Sequence, residues 1–508
     1  MSDTLGAVLG QVFDPTLLAV IAAAALYGTL FGSIPGLSAT MAVALVVPMT
    51  YFLSPLAALA AVVTLEACAI SSGDIPSALV RIPGTPASAA YADDLYQLAQ
   101  RGQYLGALGV CIMFSVIGGL FGVGVLVLFA RPLAGIATWF TVAEYFWLYV
   151  LGLGCAVVVS RGSALKGALA LLLGLLLSTV GLSPVHTEAR FTFGRPELYQ
   201  GINFIPALVG LFGLSEVLRN VRSPWMAPAV ALPTPAAGLS LASGLIASIR
   251  SVFGGTLALF WRRPWQTLQA SAIGTLIGIL PGAGADIAAW VTYGLSKRMS
   301  RRPEEYGRGS IEGVADAGAA NNAALAGAWV PALTLGIPGD SITAIVLGIM
   351  TMKDLQPGPD IFEKQAVLVY SLYLVFLIAN LALLPAGYLA IRASGALMRV
   401  PRHTLLPVIV LFCVLGSYSI GGSYFDVGLM LVMGLVGFVL ERWEVPVGPV
   451  VLGIILGGPL EERFIQALTA SGGSPWVFFA RPSAAVLAVA AIAVWSLPAV
   501  TAWWARIS

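Results

Sequence analysis

Four helix breakers set inside apolar sequence constrain this chain more than any other feature. Gly278-Ile279-Leu280-Pro281-Gly282-Ala283-Gly284-Ala285-Asp286 opens one stretch, and Pro331-Ala332-Leu333-Thr334-Leu335-Gly336-Ile337-Pro338-Gly339-Asp340-Ser341 closes it, with the polar pair Asn321-Asn322 between them. Proline removes a backbone donor and clashes with the preceding turn, while glycine lets the chain leave the helix. At membrane depth each freed N–H or C=O costs several kcal/mol if unpaired, so such breaks persist only inside protein or around a wet cavity. The punctuation occurs twice. Gly32-Ser33-Ile34-Pro35-Gly36 has the Gly-x-x-Pro-Gly form of Gly278 to Gly282, and Pro76 to Gly84 has the spacing of Pro331 to Gly339. Pro35 and Pro281 lie 246 residues apart, and Pro83 and Pro338 lie 255 apart. Two matches in the same order at nearly equal offsets mark an internal repeat.

The breaks matter because the surrounding sequence is membrane-like. The 508 residues are 58% hydrophobic and 10% charged, whereas a water-soluble domain carries about 25% charged residues. Apolar stretches near 104–130, 143–160, 164–182, 203–218, 366–390, 404–416, 424–440, 446–458 and 483–505 approach the roughly 20 residues that cross a bilayer. The fold expected is an all-α polytopic membrane protein of two repeats, with on the order of 10–14 segments counting broken helices. A net charge of +2 without a basic stripe gives no nucleic-acid surface. Cys68, Cys111, Cys155 and Cys413 sit in apolar runs and read as small buried hydrophobes. Met1 to Gly10 lacks a basic n-region, so no removed signal peptide is expected.

Residues 15–53 and 263–298 each form two apolar arms joined at a Pro-Gly turn, either as a re-entrant hairpin or as two short spans. Arg262-Arg263 and Lys297-Arg298 flank the second figure, whereas only Asp3 and Asp14 precede the first. By the positive-inside rule both ends of the second are cytoplasmic, and a shared fold then implies inverted repeats. The domain reading is a first membrane repeat at 1–220, a linker with an amphipathic segment at 221–262, and a second repeat plus C-terminal helices at 263–508. Pro224, Pro228, Pro233 and Pro235 crowd the linker. The polar loop at 183–201, with His186, Glu188, Arg190, Arg195 and Glu197, is either a docking surface or an ordinary solvated loop.

Ionisable groups within apolar segments cost roughly 2.5–3.5 kcal/mol each on insertion scales and so mark function. Glu66, Asp74, Arg81, Asp286 and Asp340 all fall at or beside the breaks. Helix N-termini after Pro-Gly turns suit an anionic solute, which assigns substrate binding to Pro35, Gly36, Ser38, Arg81, Pro83, Gly84 and Thr85 in the first repeat. The matching set in the second repeat is Pro281, Gly282, Gly284, Pro338, Gly339, Asp340 and Ser341. Oxygen donors suit a hard cation such as Na⁺, which assigns ion binding to Glu66, Asp286, Asn321, Asn322 and Thr343. The competing reading is that the turns only cap helices and Arg81 snorkels to an interface. Only His186 and His403 are present, and no nucleophile elbow, His-Glu-x-x-His motif or Walker loop occurs, so an enzyme or ATP-driven pump is not expected.

Pro-Gly-Leu at 35–37, Arg-Ile-Pro-Gly-Thr-Pro at 81–86, Leu-Pro-Gly-Ala-Gly at 280–284, Glu-Gly-Val-Ala at 312–315, Ala-Asn-Asn-Ala at 320–323 and Leu-Gly-Ile-Pro-Gly at 335–339 are the strongest signatures. Together they resemble the large membrane subunit of the tripartite tricarboxylate transporters, and the resemblance covers nearly the whole chain. It implies a multi-pass secondary transporter importing organic di- and tricarboxylates across the bacterial inner membrane. It implies a small four-helix membrane subunit and a periplasmic solute-binding protein as partners, no cofactor, and drive by a cation gradient, Na⁺ first and H⁺ second. The rivals are a stand-alone H⁺-coupled carboxylate transporter and a channel.

Overall fold

The computed structural model describes residues 2–159, 163–183, 188–222, 241–282, 284–397 and 402–507. The prolines of the linker, His186 and Ala283 lie outside the described residues, as does the side chain of His403.

The first half comprises α1 (Ser2–Val12), α2 (Pro15–Ser33), α3 (Ala39–Thr50), α4 (Pro55–Ser72), α5 (Asp74–Val80), α6 (Ala92–Gln100) and the long α7 (Tyr104–Ala137). It continues through α8 (Val142–Val159), α9 (Ala164–Ser178), α10 (Phe204–Leu208), a π-helical turn at Val209–Leu214 and α11 (Ser215–Arg222). The second half runs α12 (Leu241–Phe253), α13 (Thr256–Arg262), α14 (Pro264–Ile279), α15 (Gly284–Met299), α16 (Ile311–Leu335), α17 (Ser341–Met352), α18 (Ile361–Lys364) and the long α19 (Ala366–Leu397). It ends with α20 (Arg402–Gly421), α21 (Tyr424–Arg442), α22 (Val447–Ala470) and α23 (Pro482–Ile507). Six helices are long and apolar enough to cross a membrane, and shorter apolar helices join them. The all-α polytopic fold is thus realised. Among the described residues, strand pairing is confined to Gly181–Leu182 against Ala189–Arg190 in the polar loop, which Arg190 ties to Glu461 at 2.7 Å. The four cysteines are unpaired thiols, buried except for the half-buried Cys155.

Local chemistry sets the helix starts. Pro15, Pro55 and Pro264 occupy the first helical turn of α2, α4 and α14, where a missing N–H costs nothing. Ser38, Ser54, Ser310 and Asp340 cap α3, α4, α16 and α17 through side-chain oxygens.

The halves pack reciprocally. α4 lies against α19 and α16 against α7; α2 lies against α19 and α14 against α7; α1 packs on α19 as α12 packs on α7. Of the stretch assigned to a linker, Leu241–Phe253 and Thr256–Arg262 are helical, and α12 packs on α7. Small residues allow the closest crossings: a Cβ on Gly28 or Gly32 of α2 would lie 2.5 or 2.3 Å from the carbonyl oxygens of Leu65 and Ala69 in α4. A Cβ on Gly274 or Gly278 of α14 would likewise lie 2.3 or 2.2 Å from those of Ala320 and Ala324 in α16. Backbone approach of this kind is what drives helix association where lipid supplies no hydrophobic contrast.

Corresponding helices run in opposite directions. Lys353, just past α17, donates to the Tyr51 and Leu53 carbonyls at 2.6 and 2.7 Å, so α17 ends where α4 begins. At the far end Asp94 accepts from the backbone N–H groups of Gly309 and Ser310 at 2.7 and 2.8 Å, which places α6 beside the start of α16. α4 is buried over its whole length and α16 nearly so, while α21 is mostly exposed. The core is this antiparallel central pair, and it carries Glu66 and Asn321.

Candidate functional site

The second break of each half ends in the same local structure. Arg81 (φ 57°, ψ 26°) and Gly336 (φ 69°, ψ 24°) are the left-handed residues that terminate α5 and α16. After each comes a Pro-Gly turn and a reciprocal cap. Thr85 and Ser88 exchange backbone-to-hydroxyl hydrogen bonds, both 3.1 Å, and Asp340 and Thr343 do the same at 2.8 Å through carboxylate and hydroxyl. The glycine of each turn rests on the first break of its own half: a Cβ on Gly84 would lie 3.0 Å from the Gly32 carbonyl oxygen, and one on Gly339 2.9 Å from that of Gly278. The first breaks need glycine for conformation, with Gly36 at φ 85° and Gly282 at φ 80°.

Between the breaks lies a cavity of about 280 Å³ to which both halves contribute. From the first half come Ser38, Thr40, Thr85 and Pro86. From the second come Gly282, Gly284, Asp286, Asn321, Asp340 and Ser341. Ser38, Gly284 and Ser341 stand at the starts of α3, α15 and α17, so three helix N-termini open on one space. Each carries a partial positive charge, worth typically 0.3–1 kcal/mol to an anion, although Asp340 already accepts from the first N–H groups of α17. No lysine or arginine among the described residues lines the cavity, and its only charged groups are Asp286 and Asp340. Asp340 is committed to capping α17, where its carboxylate accepts from the Thr343 N–H and hydroxyl.

Two polar centres occupy matched positions of α4 and α16, Asn321 in this lining and Glu66 behind it. Glu66 is fully buried, and neither of its oxygens has a hydrogen-bond partner among the described residues. It faces the Asp340 carboxylate and the Trp329 indole, whose N–H is the donor turned toward it. Asn321, 255 positions after Glu66, is equally buried with a free Oδ1 and faces Tyr91. The Tyr91 hydroxyl donates to the buried Asp74 at 2.8 Å. An ionised carboxylate with one indole N–H and a second carboxylate as neighbours is costly at such a depth.

The chain matches the profile of the tripartite tricarboxylate transporter TctA family over residues 18–452. It belongs to that family. An Agrobacterium vitis protein described as an uncharacterised 52.8 kDa protein in the TAR-I ttuC' 3' region is 34% identical over 470 residues, covering 92% of this chain and 90% of that protein. A second from the same organism, in the TAR-II ttuC' 3' region, is 38% identical over 214 residues, 42% of this chain and 88% of that protein. No solved structure matches the chain. As a TctA-family member it is a multi-pass component of a tricarboxylate transport system, a transporter rather than an enzyme.

In this TctA-family chain the residues singled out from sequence separate into two groups. Ser38, Thr85, Gly282, Gly284, Asp286, Asn321, Asp340 and Ser341 meet at the cavity, with Glu66 behind them. Pro35, Gly36, Pro83, Gly84, Pro281, Pro338 and Gly339 shape the turns without lining it, and Thr343 serves the cap of α17. Arg81 stands apart: its side chain is 60% exposed and pairs with Asp93 at 2.7 Å, so it is not the cavity's anion partner. Asn322 also turns away, donating to the Ser115 carbonyl and to Asn380 Oδ1, both at 2.9 Å, and it knits α16 to α7 and α19. Trp329 and Tyr91 escaped the sequence reading because buried aromatic residues in apolar helices carry no signal. Pro446, Gly448 and Pro449 also line the cavity; their Pro-x-Gly-Pro punctuation was the available clue.

Proposed function

We propose that this chain moves organic di- and tricarboxylates across the bacterial inner membrane by alternating access, with the solute held in the cavity between the four breaks. It works with a small four-helix membrane subunit and receives solute from a periplasmic binding protein, as the family resemblance implies. The observation that carries the reading is the pairing of three helix N-termini with a cavity that has two carboxylates and, among the described residues, no basic side chain. The positive ends of α3, α15 and α17 attract solute carboxylates. A polyanion beside Asp286 and Asp340 then needs cations to offset its charge, and that is the physical basis for symport. Na⁺ is the first choice, coordinated by Asp286, the Asn321 amide and carbonyls freed at the turns, since these are hard oxygen donors. One charge crossing 100 mV is worth about 2.3 kcal/mol, so co-transported cations can concentrate a di- or trianion. Glu66 supports a second reading, coupling to H⁺, because a proton relieves a fully buried carboxyl that faces the Asp340 carboxylate.

Equilibrium binding tests the site directly. Calorimetry on the purified chain with tricarboxylates is expected to show affinity that rises with Na⁺ at fixed ionic strength. Affinity independent of Na⁺ but rising as pH falls would transfer the coupling to Glu66. Indifference to both ions would contradict symport through this cavity.

A further inference from the structure

A second and larger cavity, about 570 Å³, lies away from the proposed solute site, among the start of α14, the end of α15 and the start of α16. Four guanidinium groups line it, from Arg262, Arg263, Arg301 and Arg302, with the amides of Gln266 and Gln269 beside them. Two carboxylates also line it, but both are already engaged. Arg263 Nη2 lies 3.1 Å from Asp316 and 3.5 Å from Glu312, and the Ser296 hydroxyl donates to Asp316 as well. Arg263 Nη1 is buried without a hydrogen-bond partner among the described residues. Arg302 is engaged at the surface by Glu305. Arg262 and Arg301 form no ion pair among the described residues. The cavity therefore offers two unpaired guanidinium groups and one buried, unused N–H donor to an anion.

Leu259, Ile273, Leu295 and Met299 add an apolar share to the lining. Trp261 and Trp265, 71% and 72% exposed, flank the same corner. Exposed tryptophans beside paired arginines are what a membrane–water boundary selects. A freely soluble anion would have no use for the apolar share, and a neutral lipid would leave the arginines unmatched. An amphiphile with an anionic head fits both, and basic pockets between membrane helices are a known mode of such recognition.

We propose that this cleft binds an anionic phospholipid. Its phosphodiester lies against Arg262, Arg301 and the free Nη1 of Arg263, and an acyl chain runs along Leu259 and Ile273. The site also bears on transport, because α14 and α15 are the arms that meet at Gly282 and Gly284. A lipid bridging Arg262 to Arg301 ties the outer ends of those arms together.

The test is thermal unfolding of the delipidated full chain in neutral detergent. Mixed micelles of phosphatidylglycerol, of phosphatidylethanolamine, or soluble glycerol phosphate are added to wild type and to the Arg262→Gln/Arg301→Gln double variant. Arg263 is left intact because its ion pairs hold α14 to α16. Phosphatidylglycerol is expected to raise the wild-type midpoint and phosphatidylethanolamine to leave it unchanged. The double variant is expected to need roughly thirtyfold more phosphatidylglycerol for the same shift, as two interfacial cations imply. An unaltered requirement in the double variant would overturn the site. A full effect from glycerol phosphate alone would overturn the lipid and leave a soluble-anion site instead.

Discussion

At the residue scale the account turns on Glu66 and Asn321, which occupy the same place in the two halves with different chemistry. Glu66→Gln keeps shape and burial but removes the titratable, cation-compensating group. Uptake driven by an imposed cation gradient is expected to be lost while solute counterflow survives; gradient-driven uptake at the wild-type rate would remove Glu66 from coupling. Asn321→Ala is expected to weaken cation dependence, and undiminished Na⁺ affinity would contradict its assignment. Asn322→Ala should behave differently, since it strands the Asn380 oxygen and the Ser115 carbonyl. It is expected to cost roughly 1–3 kcal/mol of stability and to leave cation dependence unchanged. Adjacent letters in the sequence, Asn321 and Asn322 could not be told apart there. One helical step rotates a side chain by about 100°, and only packing reveals which one meets the cavity side and which the α7–α19 seam. Arg81 misled for a related reason. A cation beside a break in apolar sequence reads as buried, yet its left-handed backbone carries it out to Asp93.

At the element scale the proposal rests on the breaks, and these the sequence declared openly. Proline and glycine act through covalent geometry, so their consequences do not wait on tertiary context. Both the turns and the helices they separate fall where the punctuation places them. What could not be foreseen was the cap at Asp340, because a buried acidic residue reads equally as an ion ligand or a helix cap until its partner Thr343 is seen. Gly282→Val is expected to abolish uptake, since φ 80° disfavours any β-branched residue and even a Cβ there would lie 2.3 Å from Ala156 Cα. Gly36→Val should do the same through its φ of 85°. Gly294→Ala, where a Cβ would meet open space, serves as the control and is expected to leave transport intact. Normal uptake in Gly282→Val would contradict the placement of the site.

At the scale of the whole molecule, the repeat offsets read from prolines reappear as reciprocal helix packing between halves that run antiparallel. Their relation to the bilayer follows from charge. The positive-inside rule puts Arg262, Arg263, Arg301 and Arg302 on the cytoplasmic side, and the loop at Tyr51 to Ser54 is then expected on the other. An impermeant thiol reagent is expected to label a cysteine at Phe52 only from outside and one at Arg301 only from inside; labelling of both from one side would contradict inverted repeats. Partners were legible only through family signatures, because a lipid-facing apolar surface and a subunit-facing one have the same composition. The central claim is coupled transport through the shared cavity, and the most direct measurement is uptake of a labelled tricarboxylate into proteoliposomes. These would contain this chain, with the small subunit and the binding protein added one at a time, with and without an inward Na⁺ gradient. The account predicts saturable accumulation above equilibrium only when all components and the gradient are present. Unsaturable uptake by the chain alone, indifferent to any cation gradient, would contradict it and indicate a pore.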